Sequence, residues 1–165
     1  MKKATIILSI LIAHLIFSGC ERRYDKPEEL INTIRKESSF SSDKTDKIVY
    51  AGASTDDNSQ LLWYIMGNDM YNLKYIPAQC YLTSENELIF VQTFKPMNRG
   101  ENISVLQWNG GYSFIVNNPD CVQIKIRKGY EIKEIPVTQY PFVYYYDFIP
   151  NEYDFIDNNG NVLTY

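Results

Sequence analysis

Histidine is almost absent from this chain of 165 residues, since His14 is the only one. It lies inside an apolar run at residues 4–17, close to the N-terminus. The chain beyond that run has no imidazole, which excludes Ser-His-Asp and Cys-His catalysis and most zinc sites there. Acid–base chemistry would have to come from carboxylates, lysines or tyrosines. We therefore predict a protein that is not an enzyme, with no catalytic residues, no metal ligands and no cofactor.

The chain also lacks an excess of positive charge and a long apolar segment. It has 16 lysines and arginines against 20 acidic residues, with no basic stripe, which argues against binding to nucleic acid. The longest apolar run has about fourteen residues, too short for a transmembrane helix of about twenty. Lys2 and Lys3 precede this run and Phe17-Ser18-Gly19-Cys20 follows it, an order typical of a secretory signal peptide.

The end of this signal, Phe17-Ser18-Gly19-Cys20, resembles the lipobox of bacterial lipoproteins. The resemblance implies that residues 1–19 are removed and that lipid on Cys20 holds the chain to a membrane. Glu21 follows the cysteine where inner-membrane lipoproteins favour Asp, which implies the outer membrane of a Gram-negative bacterium, facing the periplasm. Loss of Lys2 and Lys3 would change the formal charge from −4 to −6.

Cysteine is scarce as well, with three in the chain. If Cys20 carries lipid, Cys80 and Cys121 remain as an even pair in an oxidising compartment. We predict a disulfide between them, and two cysteines allow only one connectivity. The alternative is a pair of free or metal-binding thiols, and no further soft ligands stand near them in the sequence.

The segment 20–46 is polar and charged, and we predict that it forms the lipidated N-terminus and a tether. Within it, Asp25 followed by Pro27 and two glutamates predicts a helix start with Asp25 as N-cap. A helix ending near Lys36 would be short and marginal unless it docks. The serine-rich stretch 38–42 is typical of a linker.

Residues 47–165 form the predicted domain, and its pattern is that of β-structure. The predicted strands are rich in Ile, Val, Tyr and Phe and cover residues 47–51, 60–66, 87–94, 103–108, 112–116, 122–126, 142–148 and 162–165. Asn109-Gly110 predicts a tight hairpin turn, because both residues tolerate positive φ angles. We predict an all-β fold, a small sandwich or barrel of about seven or eight antiparallel strands with a short N-terminal helix or tether.

Three groups of acidic residues deserve a test as sites. The segment 157–161 starts like a calcium loop, but no later Glu follows, so a turn is the preferred interpretation. Asp56 and Asp57 are adjacent and would point apart in an extended segment. Glu85 and Glu87 could share a strand face, as a glycosidase pair would require, but nothing else in the sequence supports that.

The most unusual composition is the content of tyrosine, with fourteen in the chain. They are densest at Tyr144, Tyr145 and Tyr146. Aromatic residues suit the core of a sandwich, but alternation along a strand sends Tyr145 to the face opposite the other two. Some of these rings must then approach the surface. We therefore predict a partner-binding surface that includes Tyr144, Tyr145 and Tyr146.

The layout of signal, short polar tether and β-domain, with Tyr75-Ile76-Pro77-Ala78-Gln79-Cys80 at its middle, resembles small periplasmic lipoproteins proposed as type VI secretion immunity proteins. The resemblance implies that the chain neutralises a protein toxin by binding it, and negative charge would suit a basic toxin. Two alternatives remain open. One is an inhibitory lipoprotein that blocks a lysozyme, and the other is a structural accessory of an envelope or secretion assembly.

Overall fold

The computed structural model describes residues 22–37, 46–67, 73–97 and 102–164. Within these ranges there are a short 3-10 helix, Pro27–Leu30, a helix α1, Ile31–Glu37, and eleven strands. The strands are β1 Arg23–Tyr24, β2 Ile48–Asp56, β3 Ser59–Met66, β4 Lys74–Leu82, β5 Leu88–Thr93, β6 Ile103–Trp108, β7 Gly111–Val116, β8 Cys121–Lys128, β9 Glu131–Pro136, β10 Phe142–Tyr146 and β11 Glu152–Asp157.

The strands form three antiparallel sheets, which confirms the all-β prediction. Sheet A has the order β1-β5-β4-β3-β2, sheet B the order β10-β7-β6, and sheet C the order β11-β8-β9. The hairpin predicted at Asn109-Gly110 joins β6 to β7, and both residues have positive φ angles. Sheet B consists of the β6–β7 hairpin and β10, and sheet C consists of the β8–β9 hairpin and β11.

Alternation of side chains along the strands produces three layers of core. In β3, Leu62 and Tyr64 face α1 and the 3-10 helix, whereas Trp63 faces sheet B. In β7, Phe114 faces sheet C and Ile115 faces sheet A. The order of layers is therefore helix, sheet A, sheet B and sheet C, and sheets A and B are buried on both faces.

Sheets A and B approach each other most closely where β2 passes β10. A Cβ atom added at Gly52 would lie 2.8 Å from Val143 Cγ2, and Gly52 has a φ of +145°. Any other residue would be strained at this φ, and its Cβ would clash with the Val143 side chain. Beside it, Ser54 Oγ lies 2.7 Å from Ser113 Oγ of β7. These contacts hold β2 against the middle sheet.

The described part of the predicted tether belongs to the fold. Arg23 pairs with Ile89 and Tyr24 with Leu88, so β1 is an edge strand of sheet A. Leu30 and Ile34 are fully buried in the core beneath the helices. The helix begins with Lys26 as N-cap and not with Asp25, and no side-chain hydrogen bond caps it. Docking thus stabilises a helix that is too short to be stable alone. The predicted linker 38–42 lies outside the described residues.

Four strands were missing from the sequence-based prediction, and one predicted strand is absent. Strands β1, β4, β9 and β11 were not predicted. In β4 the misleading residue is Pro77, whose carbonyl accepts from the Phe94 amide at 2.8 Å where the ladder with β5 ends, so its missing N–H breaks only a terminal bond. The predicted strand 162–165 is wrong over its described part, because Val162 makes only an isolated bridge to Ile156.

The predicted disulfide is also wrong in this structure, where Cys80 and Cys121 are both free and buried. Cys80 lies on the helix side of sheet A, and Cys121 lies between sheets B and C. The alternation of β4 places Cys80 on the face of sheet A opposite to sheet B, so layers of the fold separate the two sulfur atoms. Burial raises the pKa of the Cys80 thiol to about 12 and raises that of Cys121 as well.

The hairpin turns of all three sheets meet at one end of the stack. The Leu82 amide donates to the Asn58 carbonyl at 2.7 Å, which joins the two turns of sheet A. The Gly129 amide donates to Asn151 Oδ1 at 2.6 Å, which joins two segments of sheet C. At the opposite end, the Tyr75 hydroxyl of β4 donates to Asn102 Oδ1, which precedes β6, at 3.3 Å. We call the first end the turn end, comprising residues 57–58, 83–87, 109–110, 129–130 and 147–151.

Candidate binding surface

Strand β10 carries the three tyrosines singled out from the sequence, and its alternation separates them. Tyr144 and Tyr146 face sheet C, whereas Tyr145 faces sheet A. β10 is an edge strand of sheet B, hydrogen-bonded to β7. Rings on the sheet C side therefore lie at the open flank between sheets B and C.

Four rings follow one another along this flank. Phe142 and Tyr144 are stacked, with centroids 6.4 Å apart and ring planes 4° from parallel. Beyond the end of the strand, Tyr146 and Phe148 meet edge to face at 6.1 Å. We call Phe142, Tyr144, Tyr146 and Phe148 the aromatic row. Its spacing of two residues is the period of an extended strand.

Two lysines from sheet C lie over the aromatic row. Lys133 Nζ lies 5.6 Å from the centroid of the Tyr144 ring and 5.7 Å from that of Tyr146. Lys128 Nζ lies 3.1 Å from the centroid of the Phe148 ring. Both lysines thus make cation–π contacts, at distances within the usual range. A hydrogen bond with Tyr144, together with nearby negative charge that includes Asp147, raises the pKa of Lys133, so its ammonium stays charged.

Exposure differs along the row. Tyr146 is buried, Phe142 and Tyr144 are half-buried, and Phe148 is 48 % exposed. Strand β9, which runs along the same flank, exposes four successive residues, Glu131, Ile132, Lys133 and Glu134. Rings with a charged rim are the composition that protein interfaces favour. The flank of sheets B and C is therefore the candidate binding surface.

Tyr145 has a different environment from its two neighbours. Its ring meets Trp108 edge to face at 5.3 Å, and its hydroxyl donates to the Asn109 carbonyl at 3.0 Å. Its pKa is raised first by desolvation and then by the charges of Asp56 and Asp147. Tyr145 thus holds the β6–β7 turn in place, and it lies apart from the aromatic row.

A second exposed group lies at the turn end, which sequence reasoning missed. Tyr130 is fully exposed, and Phe148 and Ile149 are 48 % and 55 % exposed. Tyr130 follows Gly129, whose φ of +61° forms the β8–β9 turn. The available signal was Lys128-Gly129-Tyr130 between two alternating segments, and it was lost because β9 was not predicted. We call Lys128, Tyr130, Phe148 and Ile149 the tip.

The acidic segment at 157–161 forms a turn, as preferred from the sequence. Asp157 Oδ1 accepts from the amides of Asn159 and Asn161, each at 2.8 Å. These hydrogen bonds and that from the Asn161 side chain lower the pKa of Asp157. A shallow cleft of about 290 Å³ lies beside the turn and is lined by Asp120, Asp157, Asn158, Asn159 and Leu163. The described residues contain no group of three or more side chains arranged to hold a metal ion.

The other acidic residues are also separated. Glu87 forms an ion pair with Arg23 at 2.9 Å, whereas Glu85 lies exposed in the β4–β5 turn. Asp56 ends β2 opposite Ser59, and Asp57 lies in the turn that follows. Glu85 and Glu87 therefore do not share a strand face as a glycosidase pair would require.

Cys20, the predicted lipidation site, lies outside the described residues. In the part of the chain that the structure describes, no helix combines the length and the apolar character needed to cross a membrane. Comparison of the chain with protein-family models, with curated proteins and with solved structures gave no match.

Proposed function

We propose that this protein is an outer-membrane lipoprotein of the periplasm that binds and neutralises a protein toxin. The observation that supports it best is the aromatic row on the open flank of sheets B and C. Half-buried rings that are already ordered by neighbours lose little conformational entropy on binding, which is why aromatic residues dominate binding energy at interfaces. The row therefore offers a firm contact area, with Tyr144 at its accessible centre.

The acidic excess of the whole chain supports a basic partner, although Lys128 and Lys133 lie over the row itself. Glu131 and Glu134 of β9 are exposed beside it, and Asp147 follows Tyr146 at the turn end. The whole mature chain would carry a formal charge of −6. Acidic charge accelerates association with a basic protein at low salt. Lipid on Cys20 would keep the protein where a secreted toxin enters the periplasm.

The proposal predicts a toxin gene beside this one, and the test is protection of cells against its product. The full chain, with its signal, should protect cells that receive the toxin in the periplasm. Tyr144→Ala combined with Lys133→Ala should weaken toxin binding by about 2 kcal/mol or more, roughly thirtyfold, as expected for a central aromatic contact. Affinity is measured by calorimetry with detergent-solubilised lipoprotein.

Tyr81→Ala provides the matched control, because Tyr81 is 50 % exposed but lies on β4 in sheet A. It should leave affinity and protection unchanged. Equal losses for Tyr81→Ala and the Tyr144 variant would contradict the aromatic row as the binding surface. Failure of the unaltered chain to bind or protect against the neighbouring toxin would overturn the proposed function.

A further inference from the structure

Strand β9 has a neighbouring strand on one side only. It ends the order β11-β8-β9 of sheet C and pairs with β8. The other end of sheet C is covered, because the Leu163 amide donates to the Phe155 carbonyl of β11 at 2.8 Å. Among the described residues, no segment pairs with the outer side of β9. An edge of this kind presents backbone N–H and C=O groups that a further strand can bind.

The register of β9 on β8 identifies the backbone groups at this edge. The Val137 amide, directly after β9, donates to the Val122 carbonyl of β8 at 2.8 Å, and the two strands stay in register from there to the β8–β9 turn. Backbone groups of successive residues point to opposite sides of an antiparallel strand. Lys133 therefore bonds to β8, whereas the N–H and C=O groups of Ile132 and Glu134 point away from sheet C. We call this side of β9 the free edge.

The free edge borders the aromatic row. Lys133 of β9 lies 5.6 Å from the Tyr144 ring centroid and 5.7 Å from that of Tyr146. A protein that covers the row on this flank therefore covers the free edge as well. Burying the amides and carbonyls of Ile132 and Glu134 without partners would weaken the complex, because each would lose its hydrogen bonds to water. The partner must therefore supply backbone-like donors and acceptors in register with β9.

We propose that the toxin adds a β-strand to the free edge, so that sheet C becomes four-stranded in the complex. This inference rests on the proposed function, since it specifies how the toxin engages the candidate binding surface. The main chain of the added strand bonds to Ile132 and Glu134, and every second side chain lies towards the aromatic row. Main-chain hydrogen bonds then contribute affinity, and the alternate side chains contribute specificity.

Side chains of β9 determine the chemistry of the added strand. Lys133 faces sheet B, so Ile132 and Glu134 lie on the outer face of sheet C. Residues of the added strand that face sheet B meet the rings and should be apolar. On the outer face, Ile132 is 51 % exposed and favours an apolar neighbour, whereas Glu134 favours a lysine or arginine across the strands. The partner segment thus has apolar side chains towards the rings and a basic residue opposite Glu134.

Strand β9 also has features that oppose unselective pairing. Glu131, Lys133 and Glu134 give it charge, and Pro136 ends it without an N–H to donate. The ladder on the free edge is therefore short, with two amides available before the proline. A strand that matches the ladder but not the rings gains few contacts, so only a partner that fits both binds firmly.

The first experiment measures amide hydrogen exchange by NMR on the full chain in detergent, with and without the product of the neighbouring toxin gene. In the free protein, the Ile132 and Glu134 amides should exchange quickly and the Lys133 amide slowly, since only Lys133 bonds to β8. Saturating toxin should slow exchange at Ile132 and Glu134 by about tenfold or more. It should leave Lys133 unchanged. Unaltered exchange at both outward amides in the complex would overturn the inference.

The second experiment compares proline with alanine at the outward positions. Glu134→Pro removes an outward amide and no bond to β8, and Glu134→Ala is its matched control, because both lose the carboxylate that lies 3.9 Å from Lys125 Nζ. Glu134→Pro should bind the toxin about tenfold more weakly than Glu134→Ala. Ile132→Pro should differ from Ile132→Ala in the same way, and slow exchange of the Lys133 amide shows that β9 stays paired. Equal affinities within both pairs would overturn the inference.

Failure of the proposed function looks different. A neighbouring gene product that does not bind at all would overturn the proposed function and this inference with it. A toxin that binds but leaves the Ile132 and Glu134 amides open to exchange would overturn strand addition alone. Sedimentation of the free protein should show a monomer. A dimer that Ile132→Pro dissociates would also overturn the inference, since a second copy would then occupy the free edge.

Discussion

Sheet B presents two faces, and they contact their neighbours in different ways. The face towards sheet A includes polar side chains, with Trp63 Nε1 donating to Ser113 Oγ at 2.7 Å and Ser54 Oγ at the same distance from it. The face towards sheet C consists of rings and aliphatic groups, such as Phe114 against Phe155 at 6.1 Å. One strand, β7, contributes to both through successive residues.

The difference shows how a layered β-protein can combine a specific interface with an adaptable one. Hydrogen bonds between buried side chains require a single alignment of sheets A and B, because a shift would leave polar groups without partners. Ring pairs can pack either offset-stacked or edge to face over a range of centroid distances, so they do not require a single alignment. The aromatic interface is also the one that remains open at its flank, where the candidate binding surface lies.

The largest expected loss of stability follows from truncating a buried ring at either interface. Trp63 and Phe155 are both fully buried. Trp63→Ala and Phe155→Ala should each lower the free energy of unfolding by about 3–5 kcal/mol. Trp63→Phe keeps a ring but loses the indole N–H, whereas Phe155→Leu loses no hydrogen bond. In urea denaturation, we expect Trp63→Phe to cost more than Phe155→Leu, and the reverse order would contradict the proposed contrast.

A smaller loss is expected from the hydroxyl that Trp63 and Ser54 share. Ser113→Ala leaves both groups without this partner and should cost about 1–3 kcal/mol. Ser104→Ala is the matched control, because Ser104 is fully buried and its Oγ has no hydrogen-bond partner in the described part of the chain. It should leave the stability unchanged or raise it. Equal destabilisation by Ser113→Ala and Ser104→Ala would show that the shared hydroxyl does not align the sheets.

The smallest expected effect concerns the two cysteines, one on the helix side of sheet A and one between sheets B and C. Since Cys80 and Cys121 are free, reducing agent should leave the melting temperature unchanged. Both thiols should react with a thiol reagent only after denaturation, because burial raises the pKa of Cys80 to about 12 and shields both sulfur atoms. A fall in melting temperature on reduction would indicate that the predicted disulfide forms. It would contradict the placement of the two cysteines in different layers.

Much of the β-structure could be predicted from the sequence. Strand β6, Ile103–Trp108, was predicted with its observed bounds, and the β6–β7 hairpin follows from Asn109-Gly110. These features depend on neighbours in the chain, so local preference decides them. Strand β4 could not be predicted this way because Pro77 argues against an inner strand. It is acceptable there because Pro77 lies opposite Trp63 of β3 and just beyond the point where β5 ends, at Thr93 opposite Ala78.

The candidate surface was predicted in part. Tyrosine density pointed to β10, and alternation correctly set Tyr145 apart from Tyr144 and Tyr146. The sequence did not indicate that Lys128 and Lys133 from sheet C would lie over these rings. Such contacts join residues far apart in the chain, and they exist only because sheet C packs on sheet B.

By itself, the amino-acid sequence determined the all-β class, the central hairpin and the alternation that gives each strand two faces, because these depend on local preference and period. Tertiary structure alone decided that Cys80 and Cys121 lie in different layers. It also decided that the N-terminal helix docks and that all hairpin turns meet at one end. These features depend on how three sheets stack, and stacking is chosen by the shapes and hydrogen bonds of faces that form only after the strands have paired.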